Sequence, residues 1–293
     1  MGGLGNQLFQ IFAVLSIAIK RNMEFKFINA DQLGSGSTTV RPTYWKSFLS
    51  KLSRFLFIQY PEFKFIFRED GYEYKNIPSH LFPTNENIMI FGYFQSYKYF
   101  QQNFKLICLM LDIYEKQQEV LNEFINNTSL SNNDFIKEDF LLNNTISLHF
   151  RIGDYKNVTY YHPIMTYEYY KNALIHILSN TNEIKYILYF CEEKDLTEVN
   201  QHISKLQNDF GSNISFIRAN NNYEDWKQLL LMSCCKYNII ANSTFSWWGA
   251  YLNSNEEKIV CYPSVWFGEA KYRETPSLKM DDLFPPSWVK ISI

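Results

Sequence analysis

A chain of 293 residues, 46% of them hydrophobic, can bury the cores of two domains of roughly 150 residues each. A formal net charge of −2 and the lack of any long Lys/Arg block argue against long nucleic acid as a partner, since neutralising a phosphate backbone takes clustered cations. Five cysteines, an odd number set mostly in apolar runs, read as core thiols of a reducing compartment, not as a disulfide framework.

The chain opens on Gly2-Gly3-Leu4-Gly5-Asn6-Gln7, a glycine-permitted turn into a helix that follows Asn6. Its spacing is not that of a dinucleotide fingerprint. The apolar stretch Leu8 to Ile19 is broken by Gln10 and Ser16, and falls short of the ~20 residues a membrane span needs. Without a signal peptide the chain reads as cytoplasmic, with peripheral membrane association left open. Phe25 to Ile28 reads as a strand, residues 35–105 carry few clean periods, and Gln117 to Asn126 reads as a helix. The polar segment from Asn126 to Asn144 places a domain boundary near residue 143, giving domains 1–143 and 144–293.

The second half alternates. Strands are expected at Ile146 to Phe150, Tyr186 to Cys191, Ile214 to Ile217, Tyr237 to Ala241 and Lys258 to Tyr262. Helices are expected at Thr166 to Ser179, Asp195 to Phe210, Tyr223 to Lys236 and Phe245 to Leu252. Such alternation, with nearly continuous apolar strands, predicts an α/β domain with a parallel sheet covered on both faces.

Two segments of that half carry chemistry. In Ser147-Leu148-His149-Phe150-Arg151-Ile152-Gly153-Asp154-Tyr155 a strand hands a charged cluster to the loop at its carboxyl end, where open α/β sheets bind ligands. Arg151 can meet a phosphate with a planar two-pronged fork, or can close the loop by pairing with Asp154, leaving His149 a core histidine; the pattern admits both. In Ile240-Ala241-Asn242-Ser243-Thr244-Phe245-Ser246 a strand runs through small polar residues into a helix start. Backbone N–H groups and three hydroxyls there favour an anion site over an ordinary helix cap.

These segments, with the glycine turn, with Glu224-Asp225-Trp226 and Met232-Ser233-Cys234-Cys235-Lys236, and with the run from Asn242 through Trp247-Trp248-Gly249 to Tyr251, resemble the α-1,2-fucosyltransferases (glycosyltransferase family 11) over almost the whole chain. The resemblance implies a GT-B arrangement of two Rossmann-like domains across a cleft. It further implies inverting transfer of L-fucose from GDP-fucose to a glycan hydroxyl, the 2-OH of a terminal β-galactose, with no metal and no cofactor beyond the donor substrate. By that likeness Arg151 binds the β-phosphate, and His149 and Asp154 shape the same pocket, His149 towards the guanine. Asn242, Ser243, Thr244, Phe245 and Ser246 hold the donor, and Asp225 contacts the nucleotide or anchors its loop. Gly3, Gly5, Asn6 and Gln7 line the acceptor side. The general base is not identified; Asp154, Glu168 and Asp31 are the carboxylates considered.

The chain departs from that family in two places. Ile152 stands where a second arginine usually follows the first, and the strand expected before the glycine turn is not seen ahead of Met1. Both departures motivate an alternative, a homologue that binds nucleotide-sugar or glycan without turnover. A dinucleotide-dependent oxidoreductase is the remaining fold-level alternative, and the absent glycine fingerprint speaks against it.

Overall fold

The computed structural model describes residues 2–34, 40–59, 61–78, 80, 82, 86–127, 143–219 and 222–293. The chain divides into two compact units, Met1–Tyr114 with Ser277–Pro285, and Glu115–Pro276 with Pro286–Ile293. The boundary expected near residue 143 adjoins the polar segment 128–142, which lies outside the described residues. The division falls earlier because the helix α3 (Ile113–Asn127) packs with the second unit: Gln117 Nε2 donates to Ser233 Oγ at 2.7 Å and to the Leu252 carbonyl at 3.1 Å.

The first unit is built around α1 (Leu4–Arg21). Its apolar residues recur at helical spacing, so Leu8, Phe9, Phe12 and Leu15 are fully buried on one side. The helix begins at Leu4, earlier than the sequence suggested, so Gly5, Asn6 and Gln7 lie inside its first turn and Gly3 is the cap. Glycine is required at Gly2, which has φ +79° and where a Cβ would stand 2.4 Å from Asn6 Nδ2. The strands are short: β1 (Phe27–Ile28), β2 (Gln32–Leu33), β3 (Arg41–Pro42), β4 (Leu56–Phe57), β5 (Phe65–Arg68) and β6 (Ile88–Phe91). β1 pairs with β4 and β5 with β6, both parallel, while β2 and β3 pair antiparallel. Residues of α1, β1, β4 and β6 line an apolar cavity of about 560 Å³. A second helix, α2 (Phe104–Met110), and the segment 277–285 complete the unit. In that segment Asp282 accepts from the Tyr74 N–H at 2.9 Å and pairs with Lys98.

The second unit holds one six-stranded parallel sheet of β7 (Thr145–His149), β8 (Tyr186–Phe190), β9 (Ser215–Arg218), β10 (Tyr237–Ile239), β11 (Val260–Pro263) and β12 (Val289–Ile291). The spatial order is β12-β11-β10-β7-β8-β9. The chain runs outward from β7 to β9, then crosses back to lay β10 on the other side of β7. The strands alternate with α4 (Tyr167–Ser179), α5 (Leu196–Phe210), α6 (Asp225–Ser233), α7 (Thr244–Tyr251) and the short α8 (Glu269–Glu274). This is the α/β architecture expected from the alternation, with every residue of β7 buried.

Polar groups in this core are paired with one another. Asn238 of β10 donates to Ser147 Oγ of β7 at 2.7 Å and to the Met232 carbonyl at 2.8 Å, and it accepts from Asn253 at 2.9 Å, tying β7, β10 and α6 in one register. α6 and α7 approach so closely that a Cβ at Gly249 would stand 2.8 Å from that of Met232. Trp247 and Trp248 are fully buried, Trp247 stacking on Tyr251 at 4.6 Å. All five cysteines are free and buried, and burial pushes thiols such as Cys191 up to about 11.

Candidate active site

The return of the chain to β10 makes the crevice between the carboxyl ends of β7 and β10 the switch point of the sheet, where open α/β sheets admit ligands. The sheet brings the two chemistry-bearing segments there together. α4 braces both strand ends: the Tyr170 hydroxyl donates to the His149 carbonyl at 3.1 Å, and the Tyr169 hydroxyl donates to the Ile240 carbonyl. Across the crevice the His149 and Phe245 rings lie 5.7 Å apart, and the Tyr155 hydroxyl donates to the Asn242 carbonyl at 3.0 Å.

Arg151 lies just past the end of β7, with its side chain 19% exposed. Nη1 donates to Glu192 Oε1 at 2.6 Å, and Nη2 pairs with Asp154. The guanidinium sits 5.0 Å over the Tyr155 ring, which itself stacks on His162 at 4.7 Å. Asp154 is thus Arg151's ion-pair partner. Glu192 and His162 are additions that the sequence reading did not name. Glu192 lies two residues past the end of β8, and the rule that ligands gather at carboxyl ends of strands was the signal for it.

The loop after β7 is held from beneath. Gly153 has φ +32°, and its N–H donates to the buried Asp195 at 2.7 Å; Lys156 pairs with the same carboxylate at 3.3 Å. Ile152, at the position of the usual second arginine, is buried in the core of the unit, so it packs and brings no charge to the site. His149 is buried beside Arg151. Burial first, and the adjacent guanidinium second, lower its pKa to about 3, so the ring is neutral. Its Nδ1 is buried and finds no hydrogen-bond partner among the described residues.

Ser243 caps α7, its hydroxyl accepting from the Phe245 N–H at 3.3 Å, while the Ser246 hydroxyl donates to the Ser243 carbonyl at 3.4 Å. Two of the three hydroxyls therefore serve the cap, and Thr244 occupies the first helical position, half-buried. At the other end of α7 the Lys258 ammonium donates to the Ala250 carbonyl at 2.9 Å, and its burial pulls its pKa down to about 8. The Asn242 amide donates to the carbonyls of Pro163 at 2.9 Å and Trp266 at 3.1 Å, latching two neighbouring loops. Its Oδ1 is buried and finds no partner among the described residues.

Asp225 lies elsewhere on the same edge of the sheet. It opens α6 after β9, two strands from β7, and accepts from the Trp226 N–H at 2.8 Å. Glu168 is exposed in the first turn of α4. In the first unit Gln7 is buried, and its amide donates to the carbonyls of Gly2 at 3.1 Å and Pro42 at 2.9 Å, closing the glycine turn. Asn6 accepts from Gln95 at 2.9 Å, and Asp31 is exposed and pairs with Lys46 at 2.7 Å. Among the described residues no group of three or more His, Cys, Asp or Glu is placed to hold a metal ion, and no helix is long and apolar enough to cross a membrane.

A parallel α/β sheet with an arginine and a serine-capped helix start at its switch point is an arrangement that open α/β sheets use for anionic ligands such as nucleotides. The chain belongs to Glycosyl transferase family 11, whose sequence model matches residues 3–292. It is similar to the O-antigen biosynthesis glycosyltransferase WbnK of Escherichia coli, 36% identical over 129 residues that span 42% of this chain and 39% of that protein. It is also similar to an alpha-1,2-colitosyltransferase of Escherichia coli, 26% identical over 99% of this chain and 96% of that one. Two solved structures show weak likeness at 11% identity: the ADP-heptose lipopolysaccharide heptosyltransferase II of E. coli, with a TM-score of 0.36 over 60% of this chain and 43% of that one, and a glycosyl transferase family 9 protein of Veillonella parvula, with 0.35 over 61% and 40%.

Proposed function

We propose that this glycosyltransferase transfers L-fucose from GDP-fucose to a glycan hydroxyl, the 2-OH of a terminal β-galactose, without a metal ion. The observation that carries the reading is the meeting of Arg151, the neutral His149 and the start of α7 at the switch point. A guanidinium fork and helix N–H groups stabilise the charge left on a departing diphosphate, and removing one such preorganised donor costs about 10²–10³ in rate. The buried Nδ1 of His149 and Oδ1 of Asn242 await polar groups of the kind a nucleotide offers. The α-1,2 linkage draws support from the name of the colitosyltransferase relative. That name also favours a second reading, in which the same machinery carries a colitosyl donor.

GDP release from GDP-fucose in EDTA, with lactose or another β-galactoside as acceptor, tests the proposal. Release stimulated by the acceptor is expected. A folded enzyme that releases nothing with GDP-fucose, yet turns over a colitosyl donor, replaces the first reading with the second. GDP binding without turnover of either donor selects a non-catalytic homologue.

A further inference from the structure

At the C-terminal end of α1 the first unit carries a second cleft, of about 150 Å³, lined by α1, by residues 74–77 and by the stretch from Lys98 to Gln102. Four of its lining residues are cations, Lys20, Arg21, Lys75 and Lys98, and none is a carboxylate. Cations in the last turn of a helix suit its dipole. Here, however, the backbone closes the helix by itself: the Asn22 N–H donates to the Ile19 carbonyl at 3.3 Å, and the Met23 N–H to the Ala18 carbonyl at 2.9 Å. Lys98 is engaged by Asp282, and Lys75 reaches the almost fully exposed Asp70 only at 3.4 Å. Lys20 is exposed, and neither it nor Arg21 finds a carboxylate among the described residues.

Arg21 is held in place. Its Nη2 donates to the Ile77 carbonyl at 2.8 Å, and the guanidinium carbon stands 3.9 Å from the centre of the Phe82 ring. A guanidinium has five N–H donors, so one such bond leaves a fork that is fixed in direction and largely unengaged. The cleft adjoins an apolar surface. Asn103, directly after Gln102, ties the start of α2 to α1 by donating to Ser16 Oγ at 3.0 Å. α2 then presents Leu106 and Leu109, 48% and 57% exposed, with the exposed Lys105 beside them. Their spacing of three puts both leucines on one face of the helix, and Leu106 lies only about one helical turn beyond Gln102.

A cleft of this volume has room for about five waters, or for one phosphoryl group, and a planar guanidinium fork matches the oxygens of that group. A soluble phosphate has no use for two exposed leucines. A basic cleft beside an apolar helix face is instead the make-up of a surface that rests on an anionic bilayer, with cations at the lipid phosphates and apolar side chains at the acyl boundary. We propose that this face of the first unit binds an anionic phospholipid surface: Arg21 and Lys20 hold a lipid phosphate in the cleft, and Leu106 and Leu109 enter the headgroup layer. The inference goes beyond the donor chemistry and does not depend on it.

Co-sedimentation with vesicles of phosphatidylcholine alone, and of phosphatidylcholine and phosphatidylglycerol in equal parts, tests it, alongside calorimetry with inorganic phosphate. The wild type is expected to pellet with the anionic vesicles only, and to be released in about 1 M salt, where charges are screened beyond about 3 Å. Lys20→Gln should lower the partition about fivefold, which is what one cation near an anionic leaflet contributes. Leu106→Ser combined with Leu109→Ser should lower it about tenfold. Arg21→Lys keeps the charge and loses the fork; it too should lower the partition, by about tenfold, whereas a diffuse charge effect leaves it unchanged. If Arg21→Lys does not fold, the Lys20 and leucine variants, all at exposed positions, carry the expectation. No pelleting with anionic vesicles, or pelleting that every folded variant keeps in full, overturns the surface. Inorganic phosphate bound by a protein that ignores both vesicles overturns it as well, in favour of a site for a soluble phosphate.

Discussion

His149 ties stability to pH in a way that a single substitution isolates. Burial and Arg151 take its pKa from the ordinary 6.5 to about 3, so the folded protein holds it neutral where the unfolded chain protonates it. The stabilisation is complete above pH 6.5 and drains away as pH falls towards 3. Between pH 7 and pH 5 the difference in proton binding integrates to about 2 kcal/mol lost from the folded state. His149→Gln removes the titration and keeps a neutral polar side chain. Urea unfolding followed by tryptophan fluorescence suits the test, since five of the six tryptophans, Trp226, Trp247, Trp248, Trp266 and Trp288, lie in the second unit. His162 and His202, also lowered by burial, contribute with the same sign in both proteins and cancel in the comparison. The wild type should lose about 2 kcal/mol more than the variant over that interval. Equal losses would refute a neutral, buried His149.

Three further substitutions probe the site and its frame. Arg151→Lys keeps the charge and loses the fork; transfer should fall by about 10²–10³. Its melting temperature should hardly move, because the partner carboxylates are 45% and 43% exposed and such pairs contribute at most about 1 kcal/mol. Gly249→Ala drives a Cβ against Met232 at 2.8 Å and should cost about 1–3 kcal/mol in denaturant unfolding, with Met232→Ala giving no rescue because its own Cβ remains. Asn242→Asp sets a carboxylate against the two carbonyls that its amide now satisfies; a loss of about 1–3 kcal/mol, together with weaker GDP binding by calorimetry, is expected.

The second unit was legible because its strands, buried on both faces, read as unbroken apolar runs, and its helices kept a 3.6-residue period. β12 escaped because three residues carry no period. Beyond α1 and β1, which the sequence had indicated, the first unit was opaque for the same reason: its strands run two to four residues, so neither alternation nor a continuous apolar run develops. Single motifs fared by kind. The run around Ser243 signalled a helix start by composition but was read as an anion site ahead of the cap that Ser243 forms, whereas the latch role of Asn242 depends on Pro163 and Trp266, distant in sequence, and no local pattern encodes it. The turn Gly92-Tyr93-Phe94-Gln95-Ser96 falls in the stretch 35–105 of few clean periods, and nothing in the sequence revealed that Phe94 takes a positive φ or that Gln95 reaches Asn6.

The two roles left open for Arg151, loop closure and phosphate binding, turn out to be compatible. A guanidinium has five N–H donors. Nη1 spends one on Glu192 and Nη2 one on Asp154, and the two carboxylates fix the plane and direction of the fork from its sides. Holding a long side chain in one rotamer beforehand removes an entropy cost that a ligand would otherwise meet on binding. Tyr155 beneath the guanidinium and Asp195 beneath Gly153 hold the loop that carries it. Ile152 completes the same design from inside: as a buried apolar residue it anchors the backbone directly after Arg151, where a second charge would have to be kept in water. On the reading proposed above, one fixed arginine, aimed by two carboxylates and anchored by its neighbour, would serve as the anion clamp, and the departure at Ile152 then gives no reason by itself to expect a dead enzyme.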